Sequence, residues 1–263
     1  MELIGYLALI VLGFVLGTVG MGGSMLAIPI LVYVFSLNMV TASAYALFIT
    51  GTTSLAGFAL KHKDDLADLR AAAVFGIPSL IASFATRRWI VTAIPPEIHL
   101  GDSIIIRKED LLLRLLCVLM IVSAVLMLKR GRYSSNEGEE RPQWLVPVGL
   151  FTGMMAGLVG AGGGFLILPS LVVFGRLKFP VAVGTTLLII SFNSLVGFCG
   201  DVLNYSIQWP FLLVVTGLCC TGLLLGYVAR HRIASRIDQR VFAFVMLLIS
   251  LWIVADQLRI AEG

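Results

Sequence analysis

The sequence predicts an all-α, polytopic membrane protein of two inverted repeats, each a glycine-broken or re-entrant helix pair plus three transmembrane helices. Three observations lead there. Charged residues make up 13% of the 263, hydrophobic residues 59%, and the mean hydropathy is +0.99; soluble domains carry about 25% charged residues. One aqueous core cannot hide so much apolar surface, so lipid must cover the rest. The charges are bunched at Lys61–Arg70, Arg87–Arg114, Lys129–Arg141, Arg176–Lys178, Asp201, Arg230–Arg240 and the C-terminal end. The runs between the bunches approach the ~20 apolar residues that cross a bilayer. Finally, the first half of the chain recurs in the second.

The recurrence has a fixed offset of 140. From Gly13 to Phe58, 46 positions align without a gap with Gly153 to Phe198, and 18 are identical, among them Gly20, Gly22, Gly23, Pro29, Ser54 and Phe58. Internal repeats of this kind are common in transporter folds. The division that follows is a first repeat over 1–130, a polar Gly/Ser/Glu-rich cytoplasmic linker over 131–142 and a second repeat over 143–263.

Each repeat opens on an apolar stretch interrupted by glycines, Leu3–Phe35 and Leu145–Phe174. The spans that follow are about Thr41–Leu60, Leu69–Trp89 and Leu111–Leu128 in the first repeat. In the second they are about Val181–Gly200, Phe211–Ala229 and Val241–Val254. Only the first repeat carries an insertion, Ile94–Asp110, which reads as an amphipathic loop at the membrane surface, most simply a connecting hairpin. The start Met1-Glu2-Leu3 lacks the basic n-region of a cleaved signal peptide, so the first helix is expected to be retained.

The opening stretch is too long for one span, since 33 residues of helix reach ~50 Å and the hydrocarbon is ~30 Å thick. Either the chain turns back at the glycines or it crosses with a break. If it turns back, the repeats are inverted and loop Lys and Arg divide 13 to 6 across the membrane; if it crosses, they divide 11 to 8. The larger bias is preferred, because basic loops stay in the cytoplasm. That puts both termini outside a bacterial-type cell inner (plasma) membrane.

The breaks read Gly20-Met-Gly-Gly-Ser-Met-Leu-Ala-Ile-Pro29 and Gly160-Ala-Gly-Gly-Gly-Phe-Leu-Ile-Leu-Pro169. Irregular backbone at membrane depth is tolerated only where protein buries it or water lines it. The half-helix after the break begins with free N–H groups and the positive end of a dipole, which favour an anion. Paired broken segments in two halves are a strong sequence pointer to a transporter site. The candidate site is therefore Gly22, Gly23 and Ser24 facing Gly162, Gly163 and Gly164. A second polar cluster, Thr50-Gly-Thr-Thr-Ser54 against Ile190-Ser-Phe-Asn-Ser194, adds Thr53, Ser54, Asn193 and Ser194 as neutral donors. Packing is the competing reading for both, since small and hydroxylated residues also hold membrane helices together.

Other chemistries find little support. The net charge of +4 comes from loops and is no nucleic-acid footprint. Cys117, Cys199, Cys219 and Cys220 lie in or beside apolar runs and read as small hydrophobes. His62, His99 and His231 are isolated, and no metal-ligand spacing appears. A P-loop would need Lys-Ser/Thr after the glycines. No Asp, Glu, Lys or Arg sits in the middle of a span, Asp201 lying near an end, so no carboxylate proton relay is evident. An intramembrane enzyme would need a nucleophile and base or metal ligands. No cofactor is implied. The expected partners are a small anionic substrate and the bilayer. The alternatives are a channel or carrier for a metal ion or an uncharged solute, and a scaffold. A cation would want carbonyls or carboxylates.

The doubled pattern Gly-x-x-x-Gly-x-x-Gly-x-Gly-Gly, an apolar run and Pro resembles the sulfite exporter TauE/SafE family. It falls on Gly13, Gly17, Gly20, Gly22, Gly23 and Pro29, then on Gly153, Gly157, Gly160, Gly162, Gly163 and Pro169. The resemblance spans nearly the whole chain. It implies a permease for small sulfur oxyanions or organosulfonates such as sulfite or sulfoacetate. This chain departs from the pattern's symmetry at Ser24, which stands where the second copy has Gly164, and at the insertion Pro95–Lys108.

Overall fold

The computed structural model describes residues 2–19, 23–61, 67–100, 104–130, 142–160, 162–233, 244, 247–253 and 255. Helix α1 (Glu2–Val19) leads to the first glycine break; α2 (Gly23–Pro29) follows and continues through a π-helical turn at Ile30–Val34. The chain then comes back to where α1 began. A Cβ placed on Gly5 would meet the Phe35 ring at 2.6 Å, and the Tyr6 and Phe35 rings pack edge-on at 5.3 Å. In the second half, α7 (Pro142–Val159) and α8 (Gly164–Val173) return in the same way, Gly175 lying against the Leu145 side chain. Both glycine-broken stretches are helical hairpins.

The long helices are α3 (Met39–Lys61), α4 (Leu69–Ala85), α6 (Lys108–Arg130), α9 (Phe179–Val202) and α10 (Trp209–Ile233). Asp68 caps α4, its Oδ1 accepting from the Ala71 N–H at 2.9 Å, the usual remedy for a free helix-start donor. Helix α4 passes through a π turn at Thr86–Ile90 into α5 (Val91–Ala93), beyond the expected end at Trp89. Among the described residues four segments are long and apolar enough to cross a membrane: Met39–Leu60, Leu69–Ala93, Pro180–Val202 and Trp209–Ala229. The last expected span, Val241–Val254, is described only in part, and 247–253 is helical. All of the linker except Pro142 lies outside the described residues. Among the described residues the strands lie in the Ile94–Asp110 insertion: β1 (Glu97–Leu100) pairs antiparallel with β2 (Ile104–Arg107), Glu97 opposite Arg107.

The 140-residue offset is visible in the backbone. Phe35 N–H donates to Ile30 O and Gly175 N–H to Ser170 O, both at 3.4 Å. Leu37 bonds Leu31 as Leu177 bonds Leu171, and Ala42 bonds Asn38 as Ala182 bonds Lys178. Ser36 and Arg176, also 140 apart, take left-handed φ of 53° and 52°. Each hairpin thus ends in the same turn.

The halves are interlocked. Helix α1 packs on α10, and α7 on α4, through glycines spaced four apart. Gly13 and Gly17 lie against the Cys219 and Leu223 backbone; Gly222 and Gly226 lie against Ile10 and Phe14. Gly149, Gly153 and Gly157 lie against Phe75, Ser79 and Ser83. Such seams are how membrane helices gain close contact without a hydrophobic driving force. In both seams the residue numbers rise together, so the helices are parallel. Between α3 and α9, which form the centre, Gly57 meets Leu187, Gly51 meets Leu195 and Gly197 meets Leu47, so those two are antiparallel. Asn193 on Ser79 with Gly197 on Ser83 makes α9 parallel to α4, and Tyr45 on Gln208 with Tyr227 on Leu60 makes α3 parallel to α10. Helices α1, α3 and α10 therefore run one way, and α4, α7 and α9 the other.

Candidate functional site

The second glycine break is a buried turn at the centre of the helix bundle. Gly160, Gly162 and Gly163 hold φ of +76°, +66° and +73°, a region that side chains avoid. Gly163 precedes α8, and its carbonyl accepts from the N–H groups of Leu166 and Ile167, both at 2.8 Å. The turn leaves no room for larger residues. A Cβ on Gly163 would come 2.7 Å from Ala156 Cβ, and one on Gly162 would come 2.5 Å from Ser194 Oγ and 3.0 Å from Thr50 Cγ2. Thr50 and Ser194 sit near the midpoints of α3 and α9, so Gly162 lies at mid-height of the two central helices.

The hydroxyls around this turn are unsatisfied. Thr50 Oγ1, Ser54 Oγ and Ser194 Oγ are buried and have no hydrogen-bond partner among the described residues. Thr50 and Ser54, four apart on α3, share a helix face. Leaving a buried hydroxyl unpaired costs about 1–3 kcal/mol, so three so close together are a costly arrangement for a purely structural core.

The structure therefore sorts the expected site residues. Gly162, Gly163, Gly164 and Ser194 come together with Thr50, and Ser54 lies one turn further along α3. Two others are engaged elsewhere: Thr53 Oγ1 donates back to Ile49 O at 2.6 Å, and Asn193 Nδ2 donates to Ser79 Oγ at 2.6 Å, tying α9 to α4. Asn193 matches the helix-joining alternative, while Thr53 is taken up by its own helix. In the first break, Gly22 lies outside the described residues, while Gly23 and Ser24 form the start of α2. Helices α2 and α8 touch each other.

One component escapes sequence reasoning. Arg87 and Asp201, counted above as a loop charge and a span-end charge, are a buried ion pair. Their exposures are 1% and 0%. Arg87 Nη1 lies 3.3 Å from Asp201 Oδ2 and 3.5 Å from Oδ1. The π turn at Thr86–Ile90 carries Arg87 into the interior, and π turns within helices recur at functional sites. Arg87 Nε and Nη2 have no partner among the described residues. The guanidinium fills the place that a side chain on Gly160 would take, its Cζ lying 2.8 Å from a Cβ built there. A signal for Asp201 was available: it is the single carboxylate between Glu140 and Asp238. Nothing in one sequence marks Arg87 as its partner, 114 residues away.

Beyond the pair is a cleft of about 310 Å³, lined among others by Asn38, Thr41, Arg107, Lys108, Glu109 and Tyr205. Lys108 stands at the head of α6, ahead of its apolar run, and its Nζ donates to Val91 O. Burial and then the Arg87 charge lower its pKa, Asp201 opposing them. Burial and then Asp201 raise the pKa of the Tyr205 hydroxyl, and the Tyr205 N–H donates to Asp201 O at 2.9 Å. Two residues of the cleft therefore feel the ion pair.

Long apolar helices, paired broken hairpins and polar groups buried at mid-height define a multi-pass α-helical membrane protein of the transporter class. The chain belongs to the sulfite exporter TauE/SafE family, whose sequence profile matches residues 5–253. Among its relatives, a probable membrane transporter protein of Xylella fastidiosa is 27% identical over 256 residues, covering 92% of this chain and 90% of that one. A probable membrane transporter protein of Methanocaldococcus jannaschii is 28% identical over 183 residues, 66% of this chain and 62% of that one. Another from Bacillus subtilis is 20% identical over 277 residues, 95% and 98% of the two chains. No solved structure matches the chain.

Proposed function

We propose that this membrane transporter carries a small anion, a sulfur oxyanion or organosulfonate such as sulfite or sulfoacetate, through a site between its two broken helices. The observation that carries the reading is the start of α8 at mid-height, where Gly162 abuts Ser194 and Thr50, whose hydroxyls have no partner among the described residues. The first N–H groups of a helix have no acceptor within it. Together with neutral hydroxyls they solvate a negative charge without a competing lysine or a proton relay. The opposite directions of α1 and α7, α3 and α9, and α4 and α10 support two repeats inverted across the membrane. The positive-inside rule then sets the more basic loops in the cytoplasm and the cleft at Lys108 outside a bacterial-type inner membrane. An inside-negative potential would drive an anion outward by about 2.3 kcal/mol per charge per 100 mV.

The test is flux and binding with purified protein. Proteoliposomes should exchange labelled sulfite or sulfoacetate, and the same anions should raise the melting temperature in detergent. Stabilisation by divalent metals alone, with no anion flux, would replace this reading with cation transport.

A further inference from the structure

A buried arginine has five N–H donors to satisfy. Asp201 engages Nη1 only, and at 3.3–3.5 Å it does so loosely. Nε and Nη2 are unpartnered among the described residues although the residue is 1% exposed. These two nitrogens form one edge of the planar guanidinium, the edge that grips two oxygens of a carboxylate, sulfonate or phosphate at once. Where the guanidinium stands adds a second observation. On one side is Gly160, the entry to the glycine turn, whose missing side chain makes room for Nη2. Gly162, two residues on, touches Ser194 and Thr50. On the other side Asp201 receives the Tyr205 N–H, and Lys108 bonds Val91 O, four residues past Arg87; Tyr205 and Lys108 both line the cleft. The ion pair lies between the cleft and the turn.

We propose that Arg87 is an anion-binding residue on the path into the site, taking an oxyanion through Nε and Nη2 as the anion passes between the cleft and the Gly160–Gly164 turn. Asp201 holds the guanidinium in place between passages and competes with the anion for it. This rests on the anion reading above and adds the residue that receives the charge before the neutral hydroxyls do. A pair serving only to join α4 to α9 would not need two buried donors without partners among the described residues, one of them set against a glycine.

The experiment compares the wild type with Arg87→Lys, Asp201→Asn and the neutral double variant Arg87→Gln/Asp201→Asn. Sulfite uptake into proteoliposomes is measured alongside the sulfite-dependent melting shift in detergent. Lysine keeps the charge but cannot offer the two-pronged edge, so Arg87→Lys should raise the half-saturating sulfite concentration roughly tenfold. Asp201→Asn removes the competitor and should lower it severalfold. The double variant avoids an uncompensated buried charge, keeps its melting temperature without sulfite, and should lose most of the sulfite-dependent shift. Wild-type half-saturation in the double variant, or in both single variants, overturns the proposal and assigns the pair to packing, leaving anion transport standing. A wild type that neither moves nor binds sulfite, thiosulfate or sulfoacetate removes the anion reading itself.

Discussion

Ser194 and Thr50 put stability and function in opposition at the scale of one residue. A buried hydroxyl with no partner is a liability of about 1–3 kcal/mol. Removing it should leave the fold as stable or make it more so. If the hydroxyls serve a passing anion, the same change must weaken binding. Ser194→Ala and Thr50→Val are therefore expected to hold or raise the melting temperature while each raises the half-saturating anion concentration roughly five- to tenfold. A variant that loses stability without losing affinity would mark the hydroxyl as part of the packing. Gly163 differs in kind. Its φ of +73° and the 2.7 Å approach to Ala156 Cβ mean that any side chain both strains and crowds the turn. Gly163→Leu should abolish liposome flux while the protein still inserts, and normal flux would remove the turn from the site. Thr53 and Asn193 define the limit of reading residues singly. Their polarity at mid-span was plain in the sequence, but whether a hydroxyl bonds its own helix, as Thr53 does with Ile49, depends on a rotamer that no sequence shows.

The two glycine motifs divide into separate jobs at the scale of the element. Their first members, Gly13 and Gly17 with Gly153 and Gly157, belong to helix seams; Gly160, Gly162 and Gly163 belong to the break. The spacing itself holds the clue, because glycines four apart fall on one helix face and suit close helix contact, whereas clustered glycines unwind the helix. A built Cβ on Gly153 would come 2.7 Å from the Ser79 carbonyl carbon, while one on Gly217 of α10 would meet nothing within 4 Å. Gly153→Leu should thus destabilise by about 1–3 kcal/mol through overpacking of a backbone seam. Gly217→Leu should be neutral or slightly stabilising, since leucine favours helix more than glycine does. Melting curves of the two variants in detergent would separate the seam from the surface. The spans themselves were legible because apolar length is a local property. The connecting hairpin of the Ile94–Asp110 insertion was legible too, but its strand register and the π turn carrying Arg87 were not, since each depends on what the segment packs against. Lys108 on Val91 and Asp201 on Arg87 are contacts made only after α4, α6 and α9 have met.

For the whole molecule, the interlock has a consequence for topology. Helix α1 relies on α10 and α7 on α4, so each half supplies the surface the other lacks. The centre is the antiparallel crossing of α3 and α9, which are equivalent under the 140-residue offset. Two equivalent helices that cross antiparallel must be related by an axis perpendicular to both, and for helices that span a membrane such an axis lies in its plane. On the proposed inverted arrangement, equivalent turns face opposite compartments. Ser36 and Arg176 are the best reporters of this: both are exposed and both end a broken hairpin in the same left-handed conformation. In a background with Cys117, Cys199, Cys219 and Cys220 replaced, Ser36→Cys should react with a membrane-impermeant thiol reagent added outside intact cells. Arg176→Cys should react only after the membrane is opened, because it shares its face with the more basic loops. The reverse assignment would keep the inversion but turn the molecule over. Labelling of both positions from one side would mean that the repeats are not inverted, and the proposed approach of two half-helices to one anion from opposite faces of the membrane would fall with them.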